Sequence, residues 1–380
     1  MHYDIIIIGA GSMGMAAGYY LAKSGKNTLL LDAFDPPHTE GSHHGETRII
    51  RYAYGEGEKY VPLLLQSKKL WAELEKEWGQ TLFTKTGVLT LGPKDSTFVQ
   101  NVISSAKTYD LPLTVMTAKE VNEKWKGISI DEHLTGCFEP TSGVLHSERC
   151  IEAYRKLAEE EGATLLPYRK VINLTVCEER VTVETNNETF TSESLIVSGG
   201  AYSNELLSML HLDLPLQPIR KTFAWFNSDE EIYNEREFPA FGFETEEGMY
   251  YGFPSINGAG LKVGRHDTGH PVDPNDPLKE FSTYKEDEQD LTNFLKQFIV
   301  QEPSLKYGKT CLYTMTPDED FIVGSHPNYP NVAIAAGFSG HGFKFSSAIG
   351  KALSELITKG ETEQDLSLFS LGRFEKKKLG

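Results

Sequence analysis

A glycine-rich turn close to the N-terminus constrains the fold of this chain more than any other feature. Residues 5–8 (IIII) form an apolar run typical of a buried parallel strand, and Gly9, Gly11 and Gly14 follow it as G-x-G-x-x-G. In this motif the first glycine allows a tight turn, and the second lets the backbone approach a pyrophosphate. The third lets the next helix pack against the strand. These glycines are therefore predicted to contact a dinucleotide.

The residues after the turn complete a nucleotide-binding unit. Residues 15–23 are predicted to form its helix, with Gly25 as the C-terminal cap, and residues 28–31 to form its second strand. Asp32 ends that strand, where a carboxylate accepts hydrogen bonds from an adenosine ribose. A turn packed for steric reasons alone would not require this acid. The unit therefore predicts an α/β domain that binds a dinucleotide.

Length, charge and cysteine usage narrow the class of protein. A chain of 380 residues suggests two domains, and a net charge of −17 argues against nucleic acid or an anionic membrane as a partner. The four cysteines show no metal-binding spacing, so neither disulfides nor a metal site is expected. We expect a cytoplasmic protein, because the first strand begins directly after Met1 and no apolar run approaches the roughly 20 residues of a membrane span. The charged tail, EKKKLG, is predicted to fray.

A change of pattern marks a second domain. Residues 216–311 contain alternating aromatic segments such as KTFAWF and MYYGFP, which are typical of an antiparallel sheet. Residues 195–203 repeat the combination of apolar strand and glycine-rich turn. A strand at 332–336, the turn GFSGHG and a helix over 343–359 return the chain to the dinucleotide site. The predicted nucleotide domain is formed by residues 1–85, 146–215 and 312–380. The predicted substrate domain is formed by residues 86–145 and 216–311.

A long loop after the second strand is rich in histidine, arginine and tyrosine. Pro36, Pro37 and Gly41 disfavour a helix at its start, and it has too many aromatic and aliphatic residues to be disordered. One interpretation is a surface loop in which Arg48 and Arg51 form salt bridges. The other is that these two arginines face a bound anion or a cofactor ring.

Six strings, in matching order over essentially the whole chain, resemble one enzyme family. They are GAGSMG, GSHHGETRIIRYAYGEG, YYGFPS, GLKVGRH, CLYTMTPDEDF and GFSGHGFKFSS. The chain is similar in these strings to the monomeric sarcosine oxidase and N-methyltryptophan oxidase family. The resemblance implies a Rossmann-like FAD-binding domain of the glutathione-reductase type, an antiparallel substrate domain and a monomer. It also implies oxidation of the N-alkyl C–N bond of a secondary amino acid by oxygen, with an aldehyde, an amine and hydrogen peroxide as products.

The resemblance assigns the cofactor contacts. Cys311 matches the cysteine that attaches covalently to FAD, although a free cysteine is more commonly a small buried hydrophobe. That structural role is left for Cys137, Cys150 and Cys177. Further cofactor contacts are expected from the long loop and from the turn before the last helix, namely His44, Thr47, Arg48, Gly337, Gly342 and Lys344.

The resemblance also assigns the catalytic groups. Lys262 matches a lysine over the flavin, where a fixed cation stabilises charge that develops as oxygen is reduced. His266 would line the pocket for the substrate amine, and Arg48 and Tyr313 are further catalytic candidates. From the residues alone, an alternating Lys and His on a strand more commonly forms a solvated face. No strong general base stands out, so we expect the amine to bind in its neutral form.

The substrate carboxylate is assigned to Arg51 and Lys344. Arginine offers a bidentate fork and lysine a point charge, and Lys344 is predicted to begin a helix whose N-terminus also favours an anion. Gly340 would keep the approach open, and Tyr251 would form an aromatic wall together with Tyr313. The residue after Arg51 is a tyrosine, where the family pattern has a histidine.

Gly242 bears on the size of the substrate. It falls where the family pattern has methionine in sarcosine-specific members and a smaller residue in members that take N-methyltryptophan. A roomier pocket is expected, with a bulky N-methyl amino acid such as N-methyl-L-tryptophan preferred over sarcosine. Alternatively, Phe241 or Phe243 fills the space.

Other functions remain open at this point. Oxidation of fructosyl amino acids is a neighbouring activity. A nicotinamide dehydrogenase would also use the N-terminal motif, but it gives no role to Cys311. A flavin-binding protein without turnover is a third alternative, which an assay for hydrogen peroxide would distinguish.

Overall fold

The computed structural model describes residues 2–177 and 180–374, and the charged tail predicted to fray lies outside these residues. The α-helices are α1 (Ser12–Lys23), α2 (Val61–Trp78), α3 (Thr97–Thr108), α4 (Ala118–Lys124), α5 (Ser147–Glu160), α6 (Ser203–Met209), α7 (Glu230–Tyr233), α8 (Glu286–Phe298) and α9 (Ser346–Lys359). The strands are β1 (His2–Ile8), β2 (Thr28–Leu31), β3 (Thr47–Ile50), β4 (Phe83–Thr84), β5 (Val88–Pro93), β6 (Thr114–Thr117), β7 (Leu134–Glu139), β8 (Gly143–His146), β9 (Thr164–Leu166), β10 (Val171–Cys177), β11 (Arg180–Thr185), β12 (Thr189–Val197), β13 (Gln217–Phe226), β14 (Ala240–Glu244), β15 (Met249–Phe253), β16 (Leu261–Arg265), β17 (His270–Pro271), β18 (Leu305–Met315), β19 (Ile322–Ser325) and β20 (Val332–Ala336).

The first sheet is built around the N-terminal strand. β1 pairs in parallel with β2 on one side and with β12 on the other, and β9 extends the sheet beyond β2. The C-terminal part of β12 pairs in parallel with β20, while its N-terminal part pairs in an antiparallel manner with β11. Ile5 and Ile7 pack into a core with α1, α5 and α9, whereas Ile6 and Ile8 enter the core on the opposite face. Because both faces are covered, residues 5–8 of the strand are all apolar, and the predicted parallel strands are confirmed.

The second sheet has the order β17-β13-β16-β15-β14-β5-β7-β6, and β18 runs along the other edge of β13. Its strands are antiparallel as predicted, except that β14 and β5 pair in parallel. Phe241 and Phe243 of β14 pack on the aromatic side chains of α8, which covers one face. The domain boundaries stay a prediction, and β18 continues past residue 311 to Met315.

A small third sheet has the order β3-β8-β4. Its first strand, β3, is part of the long loop that follows β2. β3 carries Thr47 and Arg48, and its backbone pairs with β8 over residues 143–146. The residues before β3 are fixed by Glu148, whose carboxylate accepts hydrogen bonds from the backbone N–H groups of Gly45 and Glu46. The loop is therefore an ordered connection between the two larger sheets.

The last helix begins later than predicted. Residues 343–345 form a 3₁₀ turn closed by a hydrogen bond from Phe345 N–H to Gly342 O, and α9 begins at Ser346. Lys344 therefore lies in the tighter turn that commonly precedes an α-helix, and not in the first turn of α9. Among the described residues, no helix combines the length and apolar character needed to cross a membrane.

Candidate active site

The dinucleotide turn closes as the glycine pattern predicted. Gly9 has a φ of +89°, and a Cβ atom on it would lie 2.4 Å from Ser198 O. A Cβ atom on Gly14 would lie 1.9 Å from Gly9 O, so neither position accepts a side chain. Gly11 differs, because a Cβ atom there would meet only His43 Nδ1, at 3.8 Å. The space in front of Gly11 is thus open to a ligand.

That open space belongs to a cavity of about 400 Å³ in front of α1. Within residues 2–177 and 180–374, no side chain caps the N-terminus of α1, so its first N–H groups are available to an anion. Asp32 also lines the cavity, and its carboxylate accepts hydrogen bonds from Ala10 N–H at 2.8 Å and Phe34 N–H at 2.9 Å. Asp32 therefore braces the turn while it faces the cavity. These groups fit the pyrophosphate and ribose of a dinucleotide.

The far end of the cavity is bounded by Arg48. Its guanidinium donates to three backbone carbonyls, at 2.7 Å to Thr47 O, 2.6 Å to Ser42 O and 2.7 Å to His44 O. His44 is buried, and neither of its ring nitrogens has a hydrogen-bond partner among the described residues. Burial, followed by the charge of Arg48, lowers the pKa of His44 to about 4, so this ring is neutral at pH 7. An unsatisfied neutral imidazole beside a fixed cation fits the polar edge of a flavin.

Lys262 is buried on β16 and does not form a solvated face. Its ammonium donates to Gly45 O at 2.5 Å and to Thr47 Oγ1 at 3.1 Å, and lies 4.7 Å and 4.6 Å from the ring centres of Phe223 and Phe253. Burial holds the pKa of Lys262 well below its usual value, with a further lowering by a neighbouring arginine. The strand therefore delivers a desolvated lysine to the loop that carries the predicted flavin contacts.

Cys311 is 3% exposed and lies on β18, directly opposite Lys221 of β13. Burial raises the pKa of the Cys311 thiol, while the charges of Arg48, Lys262 and Lys221 act in the opposite direction. These charges favour the thiolate, but burial has the larger effect and the pKa of the thiol is raised overall. Of the remaining cysteines, the two predicted to be buried at positions 137 and 150 are buried, but Cys177 is exposed at the end of an edge strand, so its predicted burial is wrong.

Arg51 and Lys344 are brought together across 293 residues of chain by the ring of Tyr54, whose centre lies 5.1 Å from each cation. Lys344 Nζ donates to His341 O at 2.8 Å and to Tyr54 Oη at 3.2 Å. Burial, and then the charge of Arg51, lowers the pKa of Lys344 to about 7. Arg51 Nη2 donates to both oxygens of Glu56, at 2.6 Å and 2.7 Å. Arg51 and Lys344, the pair predicted to bind the substrate carboxylate, therefore lie together. The carboxylate of Glu56 already binds one side of Arg51.

Three residues of this network, Tyr54, Glu56 and His341, were not identified as site residues from the sequence. Burial would raise the pKa of Glu56, but Arg51, His341 and Lys344 lower it to about 2. His341 bridges Tyr54 Oη at 2.8 Å and a backbone carbonyl at 3.1 Å, and burial lowers its pKa to about 3. Each of the three lies inside a string that also contains a predicted site residue, so position within those strings could have identified them.

Tyr313, Tyr251 and His266 form one wall. The hydroxyl groups of the two tyrosines are close enough for each to affect the pKa of the other, and the ring centres of His266 and Tyr313 are 5.6 Å apart. Burial lowers the pKa of His266 to about 4. Gly340 has a φ of +79°, and a Cβ atom there would lie 2.1 Å from the Tyr313 ring, so only glycine lets this ring reach the backbone. Gly337 and Gly342 line the dinucleotide cavity beside it.

Gly242 faces Arg51, one of the two residues predicted to bind the substrate carboxylate. A Cβ atom on it would meet Arg51 Nη1 at 3.6 Å and Phe98 Cζ at 3.9 Å, both ordinary contacts. Phe241 and Phe243 point to the opposite face of β14, where they pack on α8, because adjacent side chains in a strand alternate. They do not fill the space at Gly242, so that alternative is wrong. The nearby ring belongs to Phe98 of α3, which the sequence reasoning did not select.

Tyr52 has its own supports beside this pair. Its backbone N–H donates to Glu139 Oε2 at 3.0 Å, and its ring lies 4.4 Å from Lys68 Nζ. Burial raises the pKa of its hydroxyl. The departure from histidine therefore places a neutral phenol at a buried position next to Arg51.

Comparison with known proteins agrees with this geometry. Residues 4–356 match the family described as FAD dependent oxidoreductase. The chain is 53% identical over 375 residues to monomeric sarcosine oxidase of Bacillus sp. (strain B-0618), covering 98% of this chain and 96% of that protein. It is 41% identical to N-methyl-L-tryptophan oxidase of Yersinia pestis (strain Pestoides F), covering 98% and 100%. A solved structure of L-proline dehydrogenase from P. horikoshii has a similar fold, with a TM-score of 0.87, 23% identity and coverage of 99% and 98%.

Proposed function

This chain belongs to the FAD dependent oxidoreductase family, in the group that contains monomeric sarcosine oxidase and N-methyl-L-tryptophan oxidase, and we propose that it oxidises N-methyl amino acids with oxygen. The observation that carries this proposal is the pair Arg51 and Lys344, two buried basic side chains around one tyrosine ring. Such a pair selects a substrate with a carboxylate. We expect a monomer in the cytoplasm.

The residues suited to hold FAD are divided between the two ends of the cavity. Gly9, Gly11 and Gly14 would allow the N-terminus of α1 to contact the pyrophosphate, and Asp32 would contact the ribose. Arg48, Gly337 and Gly342 line the cavity and would hold the flavin, with His44, Thr47 and Lys344 as further proposed contacts. When bound, FAD supplies a two-electron acceptor for the substrate and an electron donor for oxygen.

Cys311 is proposed to hold the flavin covalently through a thioether, in which a C–S bond would replace the S–H bond of the thiol and one C–H bond of a flavin methyl group. The two electrons released would be taken up by the flavin ring and removed by oxygen, the acceptor in the proposed reaction. The thiolate is the nucleophilic form of cysteine. The charges of Arg48, Lys262 and Lys221 support it, although burial opposes them. Among Cys137, Cys150 and Cys177, the two buried thiols have pKa values raised by burial and the third is exposed on an edge strand.

The substrate is held by its carboxylate. Arg51 Nη2 is engaged by Glu56, whereas Nη1 makes no hydrogen bond to the residues that the structure describes and faces Gly242. The carboxylate of the substrate takes this free side of the guanidinium, with Lys344 as its second cation. The space at Gly340 is filled by the Tyr313 ring, so this glycine positions Tyr313 and does not keep an approach open. Tyr251 and Tyr313 would bound the substrate.

His266 acts on the amine as a neutral group. Since its pKa is lowered to about 4, the ring carries no charge at pH 7, and one nitrogen can accept a hydrogen bond from the substrate N–H. With a pKa this low, the neutral imidazole is a weak base. It would not remove a proton from an ammonium, so the amine binds in its neutral form. The ring beside Tyr313 orients the N-alkyl group towards the flavin end of the cavity.

Lys262 provides the cation for the oxygen half of the reaction. Its ammonium is fixed by Gly45 O and Thr47 Oγ1 before any charge develops. A preorganised cation in a water-poor site stabilises a developing negative charge more than solvent does. Hydrogen peroxide is the expected product.

A peroxide assay tests the proposal. Purified yellow protein is incubated in air with sarcosine, N-methyl-L-tryptophan, L-proline and a fructosyl amino acid, and both peroxide and aldehyde are measured. Equal amounts of peroxide and formaldehyde from an N-methyl amino acid are expected. Peroxide from the fructosyl amino acid alone would assign the neighbouring deglycating activity, and no peroxide from any of these compounds would contradict an oxidase.

A further inference from the structure

The ring of Phe98, in the first turn of α3, lies over the guanidinium of Arg51. The centre of its ring is 5.3 Å from Arg51 Cζ, which is a cation–π distance. A Cβ atom on Gly55 would lie 2.2 Å from the same ring. Because Gly55 has no side chain, the Phe98 ring rests directly on the backbone of the loop that carries Arg51.

The position of Phe98 is fixed by the rest of α3. Asn101 Nδ2 donates to Gly55 O at 2.8 Å, and Ser105 Oγ donates to Tyr54 O at 3.1 Å. These side chains follow Phe98 at helical spacing, so one face of α3 is bound to the loop. The ring is therefore held by a helix, with limited freedom to move away from Arg51.

The guanidinium of Arg51, which contacts the Phe98 ring and faces Gly242, has hydrogen-bond donors without acceptors. Arg51 Nε is buried and has no partner among the described residues. Arg51 Nη1 lies 3.6 Å from the position of a Cβ atom on Gly242, and Phe98 Cζ lies 3.9 Å from that position. Buried donors are normally satisfied, so these atoms indicate that an acceptor from a ligand binds here.

We propose that Phe98 determines the specificity of this site, as the aromatic wall of a subsite that takes an apolar, preferentially aromatic, side chain of an N-methyl amino acid. The inference rests on the proposed function. In an amino acid the carboxylate and the side chain leave the same carbon atom. A carboxylate on the free side of Arg51 therefore directs the side chain towards the gap at Gly242 and the Phe98 ring. Sarcosine has no side chain and leaves this subsite to water.

The test compares Phe98→Ala and Phe98→Leu with a matched control, Phe281→Ala. Phe281 is also half-buried and covers a glycine in the same way, with 2.3 Å from its ring to a Cβ atom on Gly308. For each holoenzyme, kcat/KM is measured with N-methyl-L-tryptophan and with sarcosine. Phe98→Ala should lower the ratio of the two values by about 10- to 200-fold, mainly through KM, and Phe98→Leu by less. Phe281→Ala should leave the ratio unchanged.

A second measurement does not depend on turnover. The dissociation constants of indole-3-propionate and acetate are determined by titration of the same holoenzymes. Wild type should bind the aromatic acid more tightly, and Phe98→Ala should remove most of that preference. Equal affinity of wild type for both acids, or an equal loss for both substrates in Phe98→Ala, would overturn the role of Phe98. Failure to oxidise any N-methyl amino acid would instead contradict the proposed function.

Discussion

Glu56 holds the arginine that the substrate needs, which leads to a specific prediction for Glu56→Gln. Both carboxylate oxygens of Glu56 accept hydrogen bonds from Arg51 Nη2, at 2.6 Å and 2.7 Å. With a pKa lowered to about 2, Glu56 is ionised throughout the physiological range. Its charge therefore opposes a substrate carboxylate on the free Nη1 side of the same guanidinium. Glutamine removes the charge and keeps the size of the side chain.

The magnitude follows from the exposure of the pair. The Arg51 side chain is 10% exposed and that of Glu56 is 26% exposed, so solvent partly screens the interaction. We expect the loss to be about 1.5–3 kcal/mol, as for hydrogen bonds to charged groups. In the free enzyme this loss lowers the melting temperature. A bound carboxylate restores a charged partner to Arg51, so the affinity for a carboxylate should rise by up to about 10- to 100-fold.

Titration with acetate, which has no amine to titrate, measures the affinity directly, and thermal unfolding measures the stability. Glu58→Gln is the matched control, because Glu58 lies in the same loop and accepts hydrogen bonds from Ser104 and Thr108 of α3. Glu56→Gln should bind acetate more tightly and unfold at a lower temperature, and saturating acetate should recover part of the difference. Unchanged or weaker acetate binding in Glu56→Gln would show that Glu56 supports the bound state and does not oppose it.

Four further predictions concern the same cavity. Cys311→Ser should give a colourless acid precipitate where wild type gives a yellow one, and a yellow precipitate from the variant would move the linkage to another residue. Lys262→Met should slow reoxidation of the reduced flavin by roughly 10²- to 10³-fold, with a much smaller effect on anaerobic reduction, and equal slowing of both steps would contradict its role. Acetate binding should weaken by up to about tenfold per unit above pH 7, because Lys344, with a pKa of about 7, loses its charge as the pH rises. Lys344→Met should abolish this dependence. Gly242→Met should lower kcat/KM for N-methyl-L-tryptophan about 10- to 200-fold more than for sarcosine, and an equal effect on both would refute the open pocket.

The dinucleotide unit could be predicted because its constraints are local. Gly9 needs a positive φ, Gly14 lies against the carbonyl of Gly9, and Asp32 ends the neighbouring strand. All of these relations are fixed within one strand–turn–helix–strand segment. The same applies to the period-two aromatic pattern that predicted the second sheet.

The catalytic contacts could not be derived in this way, because they join distant parts of the chain. Lys262 is separated by 217 residues from Gly45, whose carbonyl it binds, and Lys344 by 290 residues from Tyr54. The order of these strings resembled a known family, which identified the lysines. It did not indicate that Phe98 covers Arg51, because that contact depends on how one face of α3 binds the loop.

The electrostatics of the site explain how an acidic chain can bind a carboxylate. Lys262 and Lys344 are buried, and their pKa values are lowered chiefly by that burial, so the charged form of each side chain is held at a cost in free energy. Backbone carbonyls offset part of this cost, as Gly45 O does for Lys262 and His341 O for Lys344. A carbonyl carries no net charge, so each site stays short of negative charge. Among the described residues no carboxylate forms a direct ion pair with either lysine, although the charge of Glu56 acts on Lys344 and that of Glu148 on Lys262. A substrate carboxylate near Lys344 and the charge that develops on oxygen near Lys262 would each supply the missing direct partner.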